Sequence, residues 1–546
     1  MMAESLTDTR GTAIRTLPAL LEARARANPD APFVAFDDLQ GRVTTRTYRE
    51  FDREVNRTGH LLGRLGVRRG DTVTLLLANC LEFLDLWFAA ARLGALIVPV
   101  NTASSASELE YLVDHSESRL IITQAAGFDL ARQARGRCPR VEDVLVCGAG
   151  APSAQVDFGR LVTCCPETRP EGPAPSPKDE AAILYTSGTT ARPKGVLVTH
   201  ANYLCAGETV ARAVRLAPED RHLCVLPLFH GNAQYYSTMS ALVAGASVAL
   251  MARFSASRYF DQAIAHRCTV SSLFAAPIRM LLAQPRRPEH ARNDLRAVIF
   301  AQSVTPAQLA EWDERFHAPL MQLWGMTETM GPPIINPLHG ERRNMSMGLS
   351  APGYTSRLVD ESGRPVARGA IGQIVVRGEP GLSLMKGYYK NDDATAETLR
   401  DGWLWSGDNA RQDEDGYYHF VDRAKDMIKR SGENVAASEV EAVIREHPAV
   451  FDCAVIGVPD PMRDEAILAV VVLRGGEEGG SAARLTEGEV IGWCRKRLAG
   501  FRVPQFVCFR AELPRTSVGK IRKHVLRAEA RALADDSGAG RSGAGS

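Results

Sequence analysis

The chain has 546 residues, and its 65 lysines and arginines almost balance its 64 aspartates and glutamates, so the formal net charge at pH 7 is only +1. Because the protein has no strong overall field, nucleic acid and anionic membrane surfaces are excluded as general partners. The chain is longer than a domain with one ordinary hydrophobic core. Its length predicts three or four packing units, some of them fused into one large lobe.

The sequence carries no sign of a secretory or membrane segment. Its N-terminal stretch has no apolar run behind a basic start, so no signal peptide is expected. The most apolar stretch, 81–100, contains two acids, an arginine and a glycine, and it predicts a helix, a turn and a buried strand. The eleven cysteines are scattered without a C-x-x-C pair, which predicts reduced thiols in a cytoplasmic protein.

Short β-branched runs alternate with amphipathic stretches through the first half of the chain. This alternation is typical of βαβ units, and it predicts an α/β fold with parallel sheets covered by helices. The predicted strands occupy 72–78, 95–100, 120–124, 222–227, 247–251, 269–274 and 297–301. A helix is predicted over 305–316. From about residue 355, hairpin-like runs at 371–378 and 416–422 predict a small antiparallel barrel or sheet.

A further change in pattern after residue 422 predicts a separate α+β domain. Ser438 and Glu441 have the spacing of a capping box, and the helix that they open has one apolar face. The other predicted elements are strands over 449–458 and 466–473, a helix near 487–499, a strand over 503–509 and a basic C-terminal helix. The predicted domains are an N-terminal lobe over 1–422, a C-terminal domain over 423–535 and a flexible tail over 536–546.

The stretch YTSGTTARPKG at 185–195 gathers hydroxyls, glycines and one lysine in a short loop. It is not a Walker P-loop, because Pro193 stands where the second glycine is needed and Gly195 follows the lysine. Taken alone, such a loop is more often a solvated connection than a site. The apolar runs at 181–185 and 196–200, however, predict strands at both ends, which would fix a loop rich in donors for an anion.

This loop resembles the phosphate-binding signature of the adenylate-forming superfamily, which contains acyl-CoA synthetases, peptide-synthetase adenylation domains and firefly-type luciferases. Five further stretches match the superfamily's motifs in order, namely LPLFH (226–230), WGMTE (324–328), GWLWSGD (402–408), VDRAKDMIKRSGENV (421–435) and PRTSVGKI (514–521). The resemblance implies an AMP-forming acid–CoA ligase. Such an enzyme joins a small-molecule carboxylic acid to ATP as acyl-AMP and then transfers the acyl group to coenzyme A, with Mg²⁺ as the metal.

The resemblance also implies roles for residues around the ATP phosphates. The loop residues in contact with the phosphates would be Thr186, Ser187, Gly188, Thr189, Thr190 and Lys194. In WGMTE, Thr327 would contact a phosphate and Glu328 would bind magnesium, since a hard cation prefers oxygen ligands. Without the motif context, Lys194 would be read as a surface lysine and the Thr-Glu pair as a helix cap.

Other matched positions would hold the nucleoside. Trp324 would stack on adenine, beside Gly325 and Met326 of the same motif. Asp408 would accept both ribose hydroxyls, because a carboxylate accepts two hydrogen bonds. Arg423 would contact the ribose or a phosphate. The competing interpretations are a core tryptophan and a turn aspartate.

The resemblance assigns the chemistry of the two half-reactions to the C-terminal part. Lys520 would bridge the substrate carboxylate and the α-phosphate, which holds two like charges together. Lys425 would be the hinge at which the C-terminal domain rotates after adenylation. That rotation would withdraw Lys520 and bring the coenzyme A segment to the cleft. The coenzyme A contacts would come from Lys429, Ser431, Gly432 and Glu433.

Two sequence features concern the acyl pocket and therefore which carboxylic acid the enzyme accepts. His230, after Phe229, resembles the residue that gates the acyl pocket, although a lone histidine is ordinarily a core residue. The superfamily's glycine- and alanine-rich stretch beside adenine is replaced by four residues. They are Phe300, Ala301, Gln302 and Ser303. Larger side chains there would narrow the adenine shelf or the adjoining acyl pocket, and Gln302 would add a polar group near the path of the carboxylate.

Within the superfamily, several stretches resemble carnitine- and crotonobetaine-CoA ligases. They are GTTARPKG, the residues at 300–303, GERRNMSMG (340–348), DMIKRSGENV (426–435) and PMRDEAI (461–467). This resemblance implies a short or medium carboxylic acid, with a polar group as one option, but it does not choose the acid.

Alternatives stay open at this point. The acyl group could pass to a carrier protein or a partner ligase instead of coenzyme A, and the chain could form a homodimer. A nucleotide-binding pseudoenzyme is a third interpretation, against which the presence of Lys194, Glu328, Asp408 and Lys520 argues.

Overall fold

The computed structural model describes residues 14–153, 156–186, 192–423, 426–430, 433–460, 464–474, 485–515 and 521–530, with the backbone alone at 433 and 434. Its helices are α1 (Leu17–Ala27), α2 (Tyr48–Arg64), α3 (Leu81–Leu93), α4 (Ala106–His115), α5 (Phe128–Arg137), α6 (Phe158–Thr163), α7 (His200–Ala213), α8 (Ser240–Ala244), α9 (Tyr259–Ala265), α10 (Ala275–Leu282), α11 (Pro306–Phe316), α12 (Asp392–Thr398), α13 (Ala437–Arg445) and α14 (Glu487–Arg495). A further helix occupies 523–530.

The strands follow the same chain order. They are β1 (Pro32–Asp37), β2 (Val43–Thr47), β3 (Thr72–Leu76), β4 (Leu96–Pro99), β5 (Leu120–Gln124), β6 (Asp143–Cys147), β7 (Glu180–Thr186), β8 (Lys194–Thr199), β9 (Arg221–Cys224), β10 (Ser247–Met251), β11 (Val270–Phe274), β12 (Ala297–Ala301), β13 (Leu320–Trp324), β14 (Ile334–Ile335), β15 (Leu349–Ser350), β16 (Thr355–Val359), β17 (Ile371–Arg377), β18 (Gly387–Tyr388), β19 (Leu399–Arg400), β20 (Trp403–Gln412), β21 (Tyr418–Arg423), β22 (Met427–Arg430), β23 (Glu433–Ala436), β24 (Val450–Asp460), β25 (Asp464–Leu473) and β26 (Phe506–Phe509).

Two mainly parallel sheets form the larger part of the protein. The first has the strand order β15-β14-β13-β12-β11-β9-β10-β1-β2, and its six middle strands from β13 to β1 run parallel. The second has the order β18-β8-β7-β4-β3-β5-β6, with β7, β4, β3, β5 and β6 parallel. All seven predicted strands of this region are present. The predicted α/β fold with parallel, helix-covered sheets is therefore confirmed.

The apolar stretch at 81–100 forms the predicted helix, turn and strand. Helix α3 ends at Gly94, whose φ of +71° lies in the left-handed region that suits glycine, and β4 follows inside the second sheet. Among the helices that the structure describes, none combines the length and apolarity needed to cross a bilayer. All eleven cysteines are free.

A smaller antiparallel sheet follows, as predicted from the change of pattern near residue 355. Its strand order is β16-β17-β20-β19, and β21 pairs with β20. By its internal contacts the chain forms two compact units. The first contains Met1–Gln302, Gln308–Ser356 and Val375–Trp405, and the second contains Ser303–Ala307, Arg357–Ile374 and Ser406–Ser546. The boundary at 422 and 423 that we expect from the sequence stays a prediction.

The C-terminal α+β domain contains a sheet of order β23-β22-β25-β24, with β26 parallel to β25. Capping boxes open α2, α4 and α14. The capping box predicted at Ser438 is wrong, because the N-cap of α13 is Ala436 and no side chain caps it. Instead the Ser438 N–H donates to Oδ2 of Asp422 at 3.1 Å, and its hydroxyl donates to the Val421 carbonyl. Glu441 is buried and faces the domain interior.

His222 in β9 makes the core of the first sheet sensitive to acid. Its side chain is fully buried, and burial lowers the pKa of His222 to about 4. The unfolded chain therefore takes up a proton between the ordinary histidine pKa and this value, while the folded chain does not. Stability from this residue is present above the unfolded pKa and is lost as the pH falls toward the folded pKa.

We expect His222→Leu to flatten this pH dependence. Between about pH 7 and about pH 5, the unfolding free energy of the wild type should fall by about 2 kcal/mol more than that of the variant. Urea unfolding at the two pH values measures the difference. Parallel pH profiles of the two proteins would contradict the role given to His222.

Candidate active site

The predicted phosphate loop connects two antiparallel strands. Strands β7 and β8 pair with Thr186 opposite Lys194, and the Thr186 hydroxyl donates to the Lys194 carbonyl at 3.5 Å. The next pair contains Gly195, where a Cβ atom would come within 2.6 Å of the Ile183 side chain, so only glycine fits. The predicted strands at both ends are confirmed. The predicted contacts at Ser187, Gly188, Thr189 and Thr190 lie outside the described residues.

Aromatic side chains from α4 support the exit of this hairpin. The Tyr111 hydroxyl donates to the Pro193 carbonyl at 3.2 Å, and the Arg192 guanidinium lies 5.1 Å from the centroid of the Tyr111 ring. His115 Nδ1 and the Tyr185 hydroxyl are 2.7 Å apart and share a hydrogen bond. These contacts fix the backbone next to Lys194. No motif in the sequence marks Tyr111 or His115.

Glu328 lies in a short 3₁₀ turn, Thr327–Thr329, after β13. Its side chain is only 5% exposed, and its Oε1 accepts a hydrogen bond of 2.9 Å from the Tyr388 hydroxyl. Burial, and then the Glu328 carboxylate, raise the pKa of Tyr388 far above its usual value, so the hydroxyl remains a donor. The Lys194 Nζ lies 5.0 Å from the centroid of the same ring. The structure therefore brings Lys194 and Glu328 together around Tyr388, a residue that no predicted motif includes.

The backbone after β13 is held tightly. At Gly325 a Cβ atom would lie 2.8 Å from the Tyr236 hydroxyl oxygen, so glycine lets these groups approach. Met330 has a φ of +63°, and such a left-handed residue without glycine costs about 1–3 kcal/mol. Tyr354 secures the strained turn, since its hydroxyl donates to the Thr329 carbonyl at 2.9 Å and accepts from the Gly331 N–H at 3.1 Å. Of the other predicted contacts, Trp324 is buried, and Met326 and Thr327 are half-buried.

The residues predicted to border the acyl group lie after β9, or within and just after β12, of the first sheet. His230 packs edge-on against Phe274, with ring centroids 5.8 Å apart, and its Nδ1 accepts from the Asn232 N–H at 3.3 Å. A π-helix, Asn232–Met239, follows, and such helices occur frequently at functional sites. Gln302 follows β12 with a φ of +77°, an unusual value for a side-chain-bearing residue. Ser303 is exposed, whereas Phe300 is fully buried within β12.

Asp408 and Arg423, the predicted ribose contacts, face each other across β20 and β21. They are opposite in the antiparallel register, and Arg423 Nε lies 3.3 Å from Asp408 Oδ1. The Asp408 N–H donates to the Ser406 hydroxyl at 3.1 Å. Asp408 is largely buried, so its carboxylate has a defined orientation beside a half-buried guanidinium.

The predicted coenzyme A segment includes the antiparallel strands β22 and β23. Lys429 is exposed on β22 opposite Asn434, and its N–H donates to Oε2 of Glu465 at 2.8 Å. The backbone of Glu433 lies opposite that of Arg430 in the same antiparallel register. Lys425, Ser431 and Gly432 lie outside the described residues, and so does Lys520. Their predicted roles stay predictions.

Residues on both sides of the Lys520 stretch join one buried charge cluster, which consists of Glu441, Arg445, Asp452, Arg515 and Lys523. Arg515 pairs with Asp452, and a β-bridge joins Arg515 to Ile521. Lys523 Nζ lies 2.8 Å from Glu441 Oε1. Arg445 pairs with both acids, at 3.1 Å and 2.9 Å.

The charges in this cluster compensate one another. Burial alone would raise the pKa of Glu441, but Lys523 and Arg445 outweigh it and hold that pKa below its usual value. Burial would likewise lower the pKa of Lys523, and Glu441 and Asp422 overcome it. Glu441 and Lys523 are therefore both charged in the folded domain.

Comparison with known proteins decides the family. Residues 21–389 match the AMP-binding enzyme family, and residues 439–520 match the AMP-binding enzyme C-terminal domain. The chain belongs to the AMP-binding enzyme family. Its similarity to crotonobetaine/carnitine–CoA ligases of Salmonella agona (strain SL483) and Salmonella typhi is 37% identity over 507 residues, which covers 91% of this chain and 96% of each relative.

Solved structures agree with this assignment. The anthranilate CoA ligase AuaEII in complex with anthranoyl-AMP is 27% identical, with a TM-score of 0.86 over 95% of this chain and 98% of that one. ATP-bound MatB from Rhodopseudomonas palustris is 28% identical, with a TM-score of 0.85 over 94% and 98%. The predicted adenylate-forming acyl-CoA synthetase is confirmed, and this AMP-binding enzyme is an AMP-forming, ATP-dependent acid–CoA ligase.

The described part of this AMP-binding enzyme has no group of three histidine, cysteine, aspartate or glutamate residues that could enclose a metal ion. Glu328 supplies a single buried carboxylate, and one of its oxygens is fixed by Tyr388. Magnesium is usually bound through one or two carboxylates together with substrate phosphates and waters, rather than by an all-protein cage. The donor at Glu328 therefore fits a magnesium ion that arrives with ATP.

Proposed function

We propose that this AMP-binding enzyme activates a short or medium carboxylic acid bearing a polar group and transfers it to coenzyme A. The acid's carboxylate attacks the α-phosphorus of ATP, which forms acyl-AMP and releases pyrophosphate. The coenzyme A thiol then attacks the acyl carbonyl, and AMP leaves. The observation that carries the proposal is the contact of Lys194 and Glu328 with one buried tyrosine beside the phosphate hairpin.

The charges at the hairpin suit the first half-reaction. Lys194 places a positive charge at the base of the loop, where β- and γ-phosphates would lie. We assign the magnesium site to Glu328; when bound, the ion neutralises charge on the leaving pyrophosphate. Thr327 is the proposed phosphate contact beside it. Asp408 and Arg423 are the proposed ribose contacts, and their mutual ion pair supports that role by orienting the carboxylate.

The proposed substrate class rests on similarity and on polar side chains near the predicted acyl pocket. The Salmonella relatives are crotonobetaine/carnitine–CoA ligases and are covered over 96% of their length. In this chain Asn232 is buried and its Oδ1 has no hydrogen-bond partner, so it can accept a hydrogen bond. Gln302 adds an amide at the end of β12. These groups favour an acid with a polar substituent.

Pyrophosphate release and coenzyme A consumption over a panel of acids test the proposal. The panel should pair polar acids, including carnitine and crotonobetaine, with apolar acids of equal length. We expect both signals for at least one polar acid. Release of pyrophosphate without consumption of coenzyme A would instead favour a carrier protein or partner ligase as acceptor, and neither signal with any acid would reject the proposed reaction.

Gln302 gives a prediction about specificity. We expect Gln302→Gly and Gln302→Ala to lower kcat/KM for polar acids by a factor that corresponds to about 0.5–1.5 kcal/mol, with apolar acids almost unaffected, because each variant removes one hydrogen bond to the substrate. Glycine accepts the positive φ at this position and alanine does not, so the pair separates side-chain loss from backbone strain. An unchanged acid profile with weaker ATP binding in both variants would show that Gln302 serves the nucleotide.

A further inference from the structure

The side chain of Tyr388 touches two oppositely charged residues. Its hydroxyl donates a hydrogen bond of 2.9 Å to Oε1 of Glu328, and Lys194 Nζ lies 5.0 Å from its ring centroid. An ammonium group within about 6 Å of an aromatic centroid is attracted by the negative face of the ring. One tyrosine therefore links the phosphate hairpin to the buried carboxylate.

The backbone around Tyr388 is fixed by the same two elements. Strand β18, which contains Tyr388, pairs with β8, the outgoing strand of the hairpin. On one side the Met385 N–H donates to the Glu328 carbonyl at 2.9 Å, and on the other the Tyr389 N–H donates to the Gly195 carbonyl at 2.7 Å. The ring position is therefore set jointly by the hairpin and by the turn that carries Glu328.

A tyrosine at this place does something that a charged residue could not do. A lysine or arginine in contact with Glu328 would neutralise the carboxylate and compete with a cation for it. The tyrosine hydroxyl instead orients the Glu328 carboxylate without adding charge, so the carboxylate keeps its affinity for a hard cation. The ring face holds Lys194 nearby while leaving its N–H donors for phosphate oxygens.

We propose that Tyr388 is a positioning residue for adenylation, which orients Glu328 toward the metal through its hydroxyl and Lys194 toward the phosphates through its ring. This inference rests on the proposed function, in which those two residues bind the metal and the phosphates. The two contacts use different parts of the side chain, so two substitutions separate them.

Tyr388→Phe removes the hydroxyl and keeps the ring. We expect the affinity of the enzyme–ATP complex for Mn²⁺, a paramagnetic substitute for Mg²⁺ measured by electron paramagnetic resonance, to fall about 10- to 100-fold, as for other groups that orient a metal ligand. The same variant should need correspondingly more Mg²⁺ for half-maximal pyrophosphate release. In an E328Q background, Y388F should have no further effect, because the hydroxyl acts through that carboxylate.

Tyr388→Met removes the ring as well. We expect calorimetric binding of ATP without metal to weaken about 3- to 10-fold in Y388M but to stay unchanged in Y388F, since only the methionine variant loses the face that holds Lys194. Tyr389→Phe is the matched control, because the Tyr389 ring contacts Lys390 at 5.0 Å. That variant should match the wild type in both assays.

Unchanged Mn²⁺ affinity in folded Y388F, or equal effects of Y388F in the wild-type and E328Q backgrounds, would overturn the proposal. So would unchanged ATP binding in Y388M. If Y388M does not fold, the cycle of Y388F and E328Q still decides the hydroxyl's role. Both binding assays need no acid, so a wild type that binds ATP and Mn²⁺ but activates no acid would reject the proposed function without touching this inference.

Discussion

Lys520→Ala is expected to slow acyl-AMP formation by about a hundred- to a thousand-fold, while thioester formation from supplied acyl-AMP stays near the wild-type rate. The lysine is proposed to hold the substrate carboxylate against the α-phosphate, and that contact is needed only while the two anions are joined. Pyrophosphate release measures the first half-reaction. Coenzyme A consumption from synthetic acyl-AMP measures the second.

Two further variants sharpen this test. Lys520→Arg keeps the charge on a bulkier, planar group, so we expect it to recover only part of the adenylation rate. Lys496→Ala changes an exposed lysine after α14 and should leave both half-reactions unchanged. Equal losses in both half-reactions for K520A would mean that the residue supports the domain and does not act in adenylation.

Lys523→Met is expected to destabilise the C-terminal domain by about 3–5 kcal/mol, because it leaves the buried Glu441 carboxylate without one of its partners. Glu441 is only 6% exposed, and its ion pair with Lys523 spans 2.8 Å. Hydrogen exchange of the amides in α13 and β24 measures the loss of protection. Lys496→Met, the same replacement on the surface, should leave that protection unchanged.

A double variant distinguishes the loss of a charge partner from the loss of packing. Removing both members of a buried ion pair is usually far less costly than removing one, so Glu441→Leu with Lys523→Met should recover much of the stability. Arg445 keeps Asp452 as a partner in that variant. A double variant as unstable as the sum of the single ones would show that shape, and not charge, dominates at this cluster.

Local sequence patterns predicted the fold because its elements follow local rules. The seven predicted strands of the parallel sheets are β-branched runs with turn residues at their ends, and all of them form. The capping box at Ser438 failed because the partner of its N–H, Asp422, lies 16 residues earlier in the chain. A pattern of neighbouring residues carries no information about a hydrogen bond to a group that is distant in the sequence.

The residues of the candidate site also divide into those that local motifs mark and those that are brought in from distant parts of the chain. Lys194 and Glu328 lie in short motifs whose residue types are typical of phosphate and metal binding. Tyr388 and Tyr111 belong to no such motif, and their hydrogen bonds reach partners 60 and 82 residues away. Only the folded arrangement of the hairpin, α4 and β18 brings them to the charged groups.

The buried charge cluster also limits how this chain can be recombined with a relative. Glu441 and Arg445 lie in α13 and Asp452 lies in β24, whereas Arg515 and Lys523 follow β26 in the chain. A crossover between these two groups would join acids from one parent to bases from the other, and any mismatch would bury an unpaired charge. Exchanges that take residues 437–523 from one parent avoid that penalty. A chimeric enzyme should therefore receive this segment as one block.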